Sequence, residues 1–387
     1  MKQIVLLILC CISFINISGQ QVNRDRLSEL IAICKKGHSD GMIIYQDGEL
    51  ITESYFGKEP KRIDIKSVTK SITNLAVGYL VTQGKLNIDQ KVHEFYPEWK
   101  QENKMEISIK HLLTHTSGTL DSDFALVESA PDIVKLALSS DQTHPVGKYY
   151  VYNNKAVNLL VGIIEKSGGK KLDELVKKEI FMPLGITDFI WPKDHAGNPY
   201  AMAFLQMYPK DLARIGRFVL NKGKWEGKQI IDPKWFDISM EPGAGFMPEY
   251  GLLWELLTKN FRLVVDEEQI QKMIDAGVEK EFIEKAKTIK GVYRGYGEYY
   301  GKIREVFGKD FSKEFLHKIV PFGLTVGKKE TDGIEGYAGI GYLGQYLVIY
   351  PKYKVVAVRG INHYAGYNWE TDEISDFPQM VLKLIED

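Results

Sequence analysis

Ser67 and Lys70 stand three residues apart in Ser67-Val68-Thr69-Lys70, a spacing that suits nucleophilic catalysis. A serine hydroxyl is a weak nucleophile at neutral pH and needs a base beside it. On a helix, positions i and i+3 share a face, so the Lys70 amine reaches the Ser67 oxygen. A helix N-terminus adds a field that favours negative charge on that oxygen. Lysine serves as the base only where burial or a neighbouring cation depresses its pKa. Ser-x-x-Lys alone recurs by chance, so partners matter. Tyr152-Asn153-Asn154 supplies two: a tyrosine here relays protons to a leaving group or back to the serine, and the Asn154 amide holds the lysine or a substrate carbonyl. Against this, the chain holds 21 tyrosines, and a core or surface role is the plain alternative for Tyr152. The third feature is the glycine-rich run Gly336-Tyr337-Ala338-Gly339-Ile340-Gly341-Tyr342-Leu343-Gly344-Gln345. Its glycines allow the close backbone approach that an oxyanion hole and a substrate-binding edge strand require.

These residues need elements to position them. Ile72, Leu75, Ala76, Tyr79 and Leu80 recur at helical steps, predicting an amphipathic helix from about Ser67 to Thr82, closed by Gly84. Leu27 to Cys34 has helical spacing, and Asp47-Gly48 between apolar runs predicts a hairpin. Residues 154–182 and Pro209 to Leu220 read as helices. Tyr346 to Tyr350 and Val355 to Val358 flank Pro351-Lys352-Tyr353-Lys354 as an antiparallel hairpin, and a last helix runs from about Asp376 to Ile385. Residues 259–330 are rich in Lys and Glu, with helices at about Glu268 to Ala276 and Phe282 to Ile289. They read as an insertion between two sheet strands, either a solvated decoration or a lid over the site.

The ordered set of motifs resembles the serine β-lactamase and penicillin-binding-protein superfamily, in its class C-like branch of esterases and 6-aminohexanoate-dimer hydrolases. The resemblance is carried by Ser67-Val68-Thr69-Lys70; Gly84-Lys85-Leu86-Asn87-Ile88-Asp89; the run from Ile109 through His115-Thr116-Ser117-Gly118; Tyr152-Asn153-Asn154; Pro183-Leu184-Gly185-Ile186; and Asp211-Leu212-Ala213-Arg214-Ile215-Gly216. The stretches Trp191 to Asp194 and Leu205 to Asp211 look most like the amide-hydrolase and esterase members. The resemblance implies an α/β (α+β) fold, an antiparallel sheet flanked by helices with an all-helical subdomain at about 67–190. It implies Ser67 as the acylated nucleophile, Lys70 as its base and Tyr152 as the proton shuttle. Asn154 matches the family's motif asparagine. The family's third motif is usually Lys-Thr-Gly or His-Thr-Gly on the edge strand, whereas this chain offers Gly336-Tyr337-Ala338 or Tyr337-Ala338-Gly339. No cation and no middle hydroxyl stand there, so the carboxylate clamp of a penicillinase or carboxypeptidase is missing. A backbone N–H survives any side chain, and hydrolysis itself is unaffected. The substrate-binding candidates are Asn154, Tyr337, Gly339 and Ile340.

Gross features bound the rest. The 387 residues are 44% hydrophobic and 26% charged with a net charge of −1, an ordinary globular composition without the basic excess of a nucleic-acid binder. Lys2, the apolar run Ile4 to Ile17 and the small residues Ser18-Gly19 read as a secretory signal peptide over 1–20, cleaved near Gly19 or Gln20. An uncleaved anchor or a lipoprotein at Cys10 are the alternatives. The mature hydrolase domain would span 21–387, periplasmic or secreted, with no stable membrane insertion. Cys34 alone remains in it, leaving no internal disulfide. Gly339 to Gly344 matches a dinucleotide fingerprint, but a strand follows where a helix is needed. His111 and His115 share a spacing for metal, but no acidic third ligand accompanies them. No cofactor or metal is expected. The expected partner is a small ester, amide or peptide substrate. Alternatives are a D-Ala-D-Ala carboxypeptidase or β-lactamase, and a catalytically idle member that binds peptidoglycan or a partner.

Overall fold

Asp47 and Gly48 both adopt positive φ, 50° and 86°, the requirement of a two-residue type I′ turn. They join β1 (Gly41–Gln46) to β2 (Glu49–Ser54). The structure is a computed structural model whose described residues are 22–101 and 103–385; the expected leader, with Cys10, lies outside them. The other sheet strands come from the C-terminal third: β3 (Glu255–Thr258), β4 (Ile334–Gly341), β5 (Gln345–Tyr350) and β6 (Val355–Gly360). The sheet order is β2-β1-β6-β5-β4-β3, every neighbour antiparallel. This is a mixed α/β fold with an antiparallel sheet flanked by helices.

Around the sheet lie α1 (Arg24–Lys36), α2 (Val68–Thr82), α3 (Pro209–Leu220), α4 (Pro233–Ser239) and α5 (Phe377–Lys383). The terminal helices α1 and α5 cover one face. Leu27, Leu30, Cys34, Phe377 and Val381 pack there against Met42, Val348 and Ala357. Alternation along the strands sends Ile43, Leu347, Val356 and Val358 to the other face, where α2 and α3 build the larger core. Helix α2 departs from the expected amphipathic stripe: almost all of it is buried. Its polar residues do not face solvent but bond neighbouring backbone. Ser71 Oγ donates to Leu253 O (3.0 Å), Thr73 Oγ1 to Ala201 O (2.9 Å) and Asn74 Nδ2 to Leu252 O (2.7 Å). Burial on all sides demands that such groups find partners.

The glycine-rich run forms a strand over Ile334–Gly341. Its turn into β5 is held by Arg359, fully buried, which donates to Gly344 O (2.9 Å), Glu373 O (2.8 Å), Gly37 O (3.2 Å), Ser39 Oγ (2.8 Å) and Asp372 O. Gly344 has φ +77°, and a Cβ there would lie 2.1 Å from Arg359 Nη1. Arg359→Met leaves several buried carbonyls without donors, and we expect it to cost about 3 kcal/mol or more in denaturant unfolding. A loss below about 1 kcal/mol would show that the clamp does not hold this corner.

Between β3 and β4 the chain leaves the sheet. The departing segment contains three strands, ordered Gly291–Tyr293, Arg262–Val265, Lys328–Glu330, and helices including Glu267–Asp275, Lys280–Thr288 and Tyr296–Phe307. It has a hydrophobic cluster of its own, around Ile270, Met273, Phe282 and Ile303. Its base is pinched: Lys259 N–H donates to Gly333 O and Asp332 N–H to Lys259 O, both at 2.9 Å. Its far end meets the rest of the chain where Tyr149 Oη donates to Leu324 O at 2.7 Å. Among the described residues no helix is long and apolar enough to cross a membrane.

Candidate active site

The turn before α2 sets the position of Ser67. Lys66 holds φ +51°, a strained value for a side-chain-bearing residue, and Asp64 stabilises it. Asp64 Oδ1 accepts from Lys66 N–H at 2.9 Å, and its other oxygen pairs with Lys66 Nζ at 2.6 Å. The sharp turn leaves Ser67 as the N-cap of α2, yet its hydroxyl makes no capping bond. Ser67 Oγ lies instead 3.1 Å from Lys70 Nζ.

Lys70 is 2% exposed. Its amine donates to Asn154 Oδ1 (2.8 Å) and to Met202 O (2.7 Å). Desolvation dominates its titration and pulls its pKa down to about 7, with Asp121 and Glu255 opposing. A neutral amine has two N–H donors and one lone pair. Asn154 and Met202 consume the two donors, so the lone pair is left for the Ser67 hydroxyl.

Tyr152 closes the other side. Its hydroxyl bonds Ser67, and its ring centroid is 4.7 Å from Lys70 Nζ. Burial holds the phenol well above the usual tyrosine range, so it carries its proton at neutral pH. The loop beneath it is laid on His115. Val151 N–H donates to His115 O (2.9 Å), and Asn153 N–H donates to His115 Nδ1 (3.0 Å). That bond makes Nδ1 an acceptor, so Nε2 carries the hydrogen and donates to Tyr250 Oη at 3.1 Å. The imidazole lies tilted against the Tyr152 ring, with centroids 4.5 Å apart. Burial, then the charge of Lys70, hold it well below the usual histidine range. His115 is thus a neutral shelf for Tyr152. His111 faces elsewhere, accepting from Ser108 N–H.

Gly339 lets β4 touch the start of α2: a Cβ there would lie 2.8 Å from Val68 Cγ1. Ile340 follows, and β3 has ended by then, its last pair being Glu255 with Ala338. Leu256 N–H turns away to Glu249 O (2.8 Å), so its partner Tyr337 directs its backbone groups toward β5. Alternation in an antiparallel ladder then points Ile340 N–H off the open edge. Tyr337 is not brought to Ser67. Two residues back along β4, its ring lines a cavity with Val219, Leu220, Phe236, Met240 and Pro351. Ser67, Lys70, Tyr152 and Asn154 form one cluster, Gly339 and Ile340 border it, and Tyr337 stands apart.

Three contributors carry no sequence signature. Met202 acts through its carbonyl, which no side chain announces. His115 reads as part of a turn, and only the fold slides it under Tyr152. Glu255 opens an apolar strand, and desolvation pushes its carboxyl up to about 8. Among the described residues no group of three or more His, Cys, Asp or Glu is arranged to hold a metal ion.

A family model described as Beta-lactamase matches residues 34–367. An N-acetylmuramyl-L-alanine amidase of Bacillus subtilis is 26% identical over 271 residues, covering 54% of this chain and 61% of the relative. Penicillin-binding protein 4* of the same organism is 26% identical over 192 residues, covering 44% and 42%. The chain thus spans about two fifths to three fifths of the length of the curated relatives it matches. Among solved structures, a protein of Bacillus anthracis provisionally named a 6-aminohexanoate-dimer hydrolase aligns with TM-score 0.61 at 18% identity, over 93% of this chain and 81% of that one. A penicillin binding protein of Bacillus halodurans aligns with TM-score 0.56 at 16% identity, over 87% and 96%. These two likenesses speak to the fold.

Proposed function

The chain belongs to the beta-lactamase family of serine hydrolases, and from that premise we propose that it cleaves an ester or amide through an acyl-enzyme on Ser67. Lys70, neutral, takes the Ser67 proton as the oxygen attacks the substrate carbonyl. The N–H groups of Ser67 and Ile340 receive the developing oxyanion. Tyr152, protonated, gives its proton to the leaving group and regains one from Lys70. Water then attacks the acyl carbonyl, yields a proton to the same pair and releases the acid, restoring the Ser67 hydroxyl.

One observation carries the reading: the donor count at Lys70. Two fixed acceptors, Asn154 Oδ1 and Met202 O, leave a neutral amine one lone pair, and Ser67 is where that lone pair points. An amine that was merely structural would gain from staying charged, and this one is desolvated to a pKa near 7. Strand β4 bears no lysine, arginine or histidine, which favours a substrate without the carboxylate of a penicillin or a D-Ala-D-Ala peptide. The proposal includes export, on the strength of Lys2 and the apolar run that follows it.

The test is a fluorophosphonate with peptide mapping, run beside a panel of p-nitrophenyl esters, nitrocefin and D-Ala-D-Ala peptides. We expect one covalent adduct, on the peptide containing Ser67, and turnover of esters above that of nitrocefin. An adduct on any other residue, or none with no ester turned over, rejects the assignment in favour of an idle binding member.

A further inference from the structure

Phe204 holds φ +75°, a left-handed backbone that a bulky side chain rarely adopts. The chain on both sides of it is tied to α2 and to the turn before that helix. Ala201 O accepts from Thr73 Oγ1 (2.9 Å), and Met202 O accepts from Lys70 Nζ (2.7 Å). Leu205 N–H donates to Thr69 Oγ1 (3.2 Å), and Leu205 O accepts from Ile65 N–H (2.9 Å). A glycine at 204 would hold this turn without strain. Phenylalanine adds the strain, so its ring calls for a use.

The ring meets Tyr200 edge-on, with centroids 4.9 Å apart, and lies tilted against Phe124 at 5.5 Å. Phe124 opens the short helix Phe124–Ser129 and stays 42% exposed despite that contact. The segment leading to Phe124 is laid on the loop that carries Tyr152 and Asn154. Thr119 O accepts from Asn153 Nδ2 (2.7 Å), and Asp121 Oδ1 accepts from Lys155 N–H (3.1 Å). Lys66 Nζ stands 6.0 Å from the Phe204 centroid, and Asp64 neutralises it at 2.6 Å. Phe204 and Phe124 thus make one apolar wall. One end of it starts two residues from the carbonyl that holds Lys70, and the other starts from the neighbours of Asn154.

We propose, resting on the hydrolase reading above, that Phe204 and Phe124 receive the acyl group of the substrate, and that this group is an apolar chain of several carbons. Three directions leave a carbonyl carbon seated on Ser67. Its oxygen goes to the N–H groups of Ser67 and Ile340, and its leaving group goes to Tyr152. The acyl substituent takes the side that remains, which the two rings border. A ring already dry on one face gives an alkyl chain apolar contact on the other. Full burial of a methylene favours binding about fourfold, and a half-open wall gives part of that for each carbon.

p-Nitrophenyl acetate, butyrate and hexanoate test this on the full chain, since they share a leaving group and differ only in the acyl chain. Nitrophenolate release gives kcat/KM for each. The hexanoate should exceed the acetate by about tenfold or more, with the butyrate between them. Phe204→Gly relaxes the turn and deletes the ring, and should bring the hexanoate-to-acetate ratio to about 3 or less. Phe204→Leu should recover part of it. Phe124→Ala, on an exposed ring away from the strained turn, should lower the ratio by about threefold. A purely structural role for these rings would slow all three esters alike and leave the ratio where it was. A wild-type ratio near one, or a ratio that persists in Phe204→Gly, overturns the proposal while leaving the hydrolase reading intact. Should the glycine variant fail to fold, Phe124→Ala decides in the same way. No release from any ester together with no fluorophosphonate label at Ser67 removes both.

Discussion

Ser67→Ala should abolish ester turnover, lowering kcat/KM by roughly 10⁴-fold or more, and should leave the fold in place. The size of the loss follows from what remains. On the proposed mechanism the N–H groups at Ser67 and Ile340 and the cleft walls would still bind substrate and favour the oxyanion, but no oxygen would be left to acylate. The stability expectation follows from the cap. Ser67 Oγ makes no capping bond to α2, so removing it does not free a helix N–H, and the change in unfolding free energy should stay within about 0.5 kcal/mol. Turnover, fluorophosphonate labelling and a thermal melt on one preparation check both halves. Turnover retained within tenfold of wild type would end the case for Ser67.

Lys70→Met should separate activity from stability. Wild-type kcat/KM should climb with pH through about 7 and level off above it, because only neutral Lys70 accepts the Ser67 proton. The Glu255 carboxyl, near 8, lies close enough to Lys70 to couple with it, so the observed midpoint belongs to the pair. Methionine should lower the plateau by about 10³-fold and erase the rising limb. Stability moves the other way. In the unfolded chain Lys70 titrates near 10.4, and in the fold near 7. As pH falls from about 10.4 to 7, the unfolded chain takes a proton that the fold refuses, and stability drains away by up to about 5 kcal/mol. Below 7 both states are protonated and the loss is constant. Methionine removes this cost, while Asn154 Oδ1 and Met202 O lose a donor and give back about 1–3 kcal/mol. The net expectation is a higher Tm for Lys70→Met at pH 7, the exchange of stability for function seen where active sites are strained. A lower Tm, or a surviving limb near 7, would show that Lys70 is not the desolvated base.

Local chemistry was legible in the chain; long-range convergence was not. Asp47-Gly48 dictated its turn by φ alone, and the Pro209–Leu220 helix falls where its apolar stripe and N-terminal proline put it. Ser67 and Lys70 were legible because one helix carries both. Helix α2 as a whole was misleading, since periodicity counts apolar residues and takes Thr69, Ser71, Thr73 and Asn74 for a wet face. Whether such residues meet water or a neighbour's carbonyl is settled by parts of the chain more than a hundred residues away. Glycine weakens strand propensity, and contact with α2 accounts for its place in β4. Tyr337 shares a face with Gly339, but a sequence gives no measure of how far along the strand the nucleophile lies.

The pinch at Lys259, Asp332 and Gly333 also bears on how such a chain diversifies. A segment that leaves and rejoins one sheet edge at two adjacent hydrogen bonds, with its own core, alters nothing in register when it lengthens, shrinks or is traded for another. The sheet and the Ser67 helix share one core, whereas the graft between β3 and β4 packs around its own. Its docking on the Tyr149 phenol lets each new graft reset the wall beside Tyr152 without rewriting the chemistry. Lineages built on this frame should therefore differ most in length between residues 259 and 333.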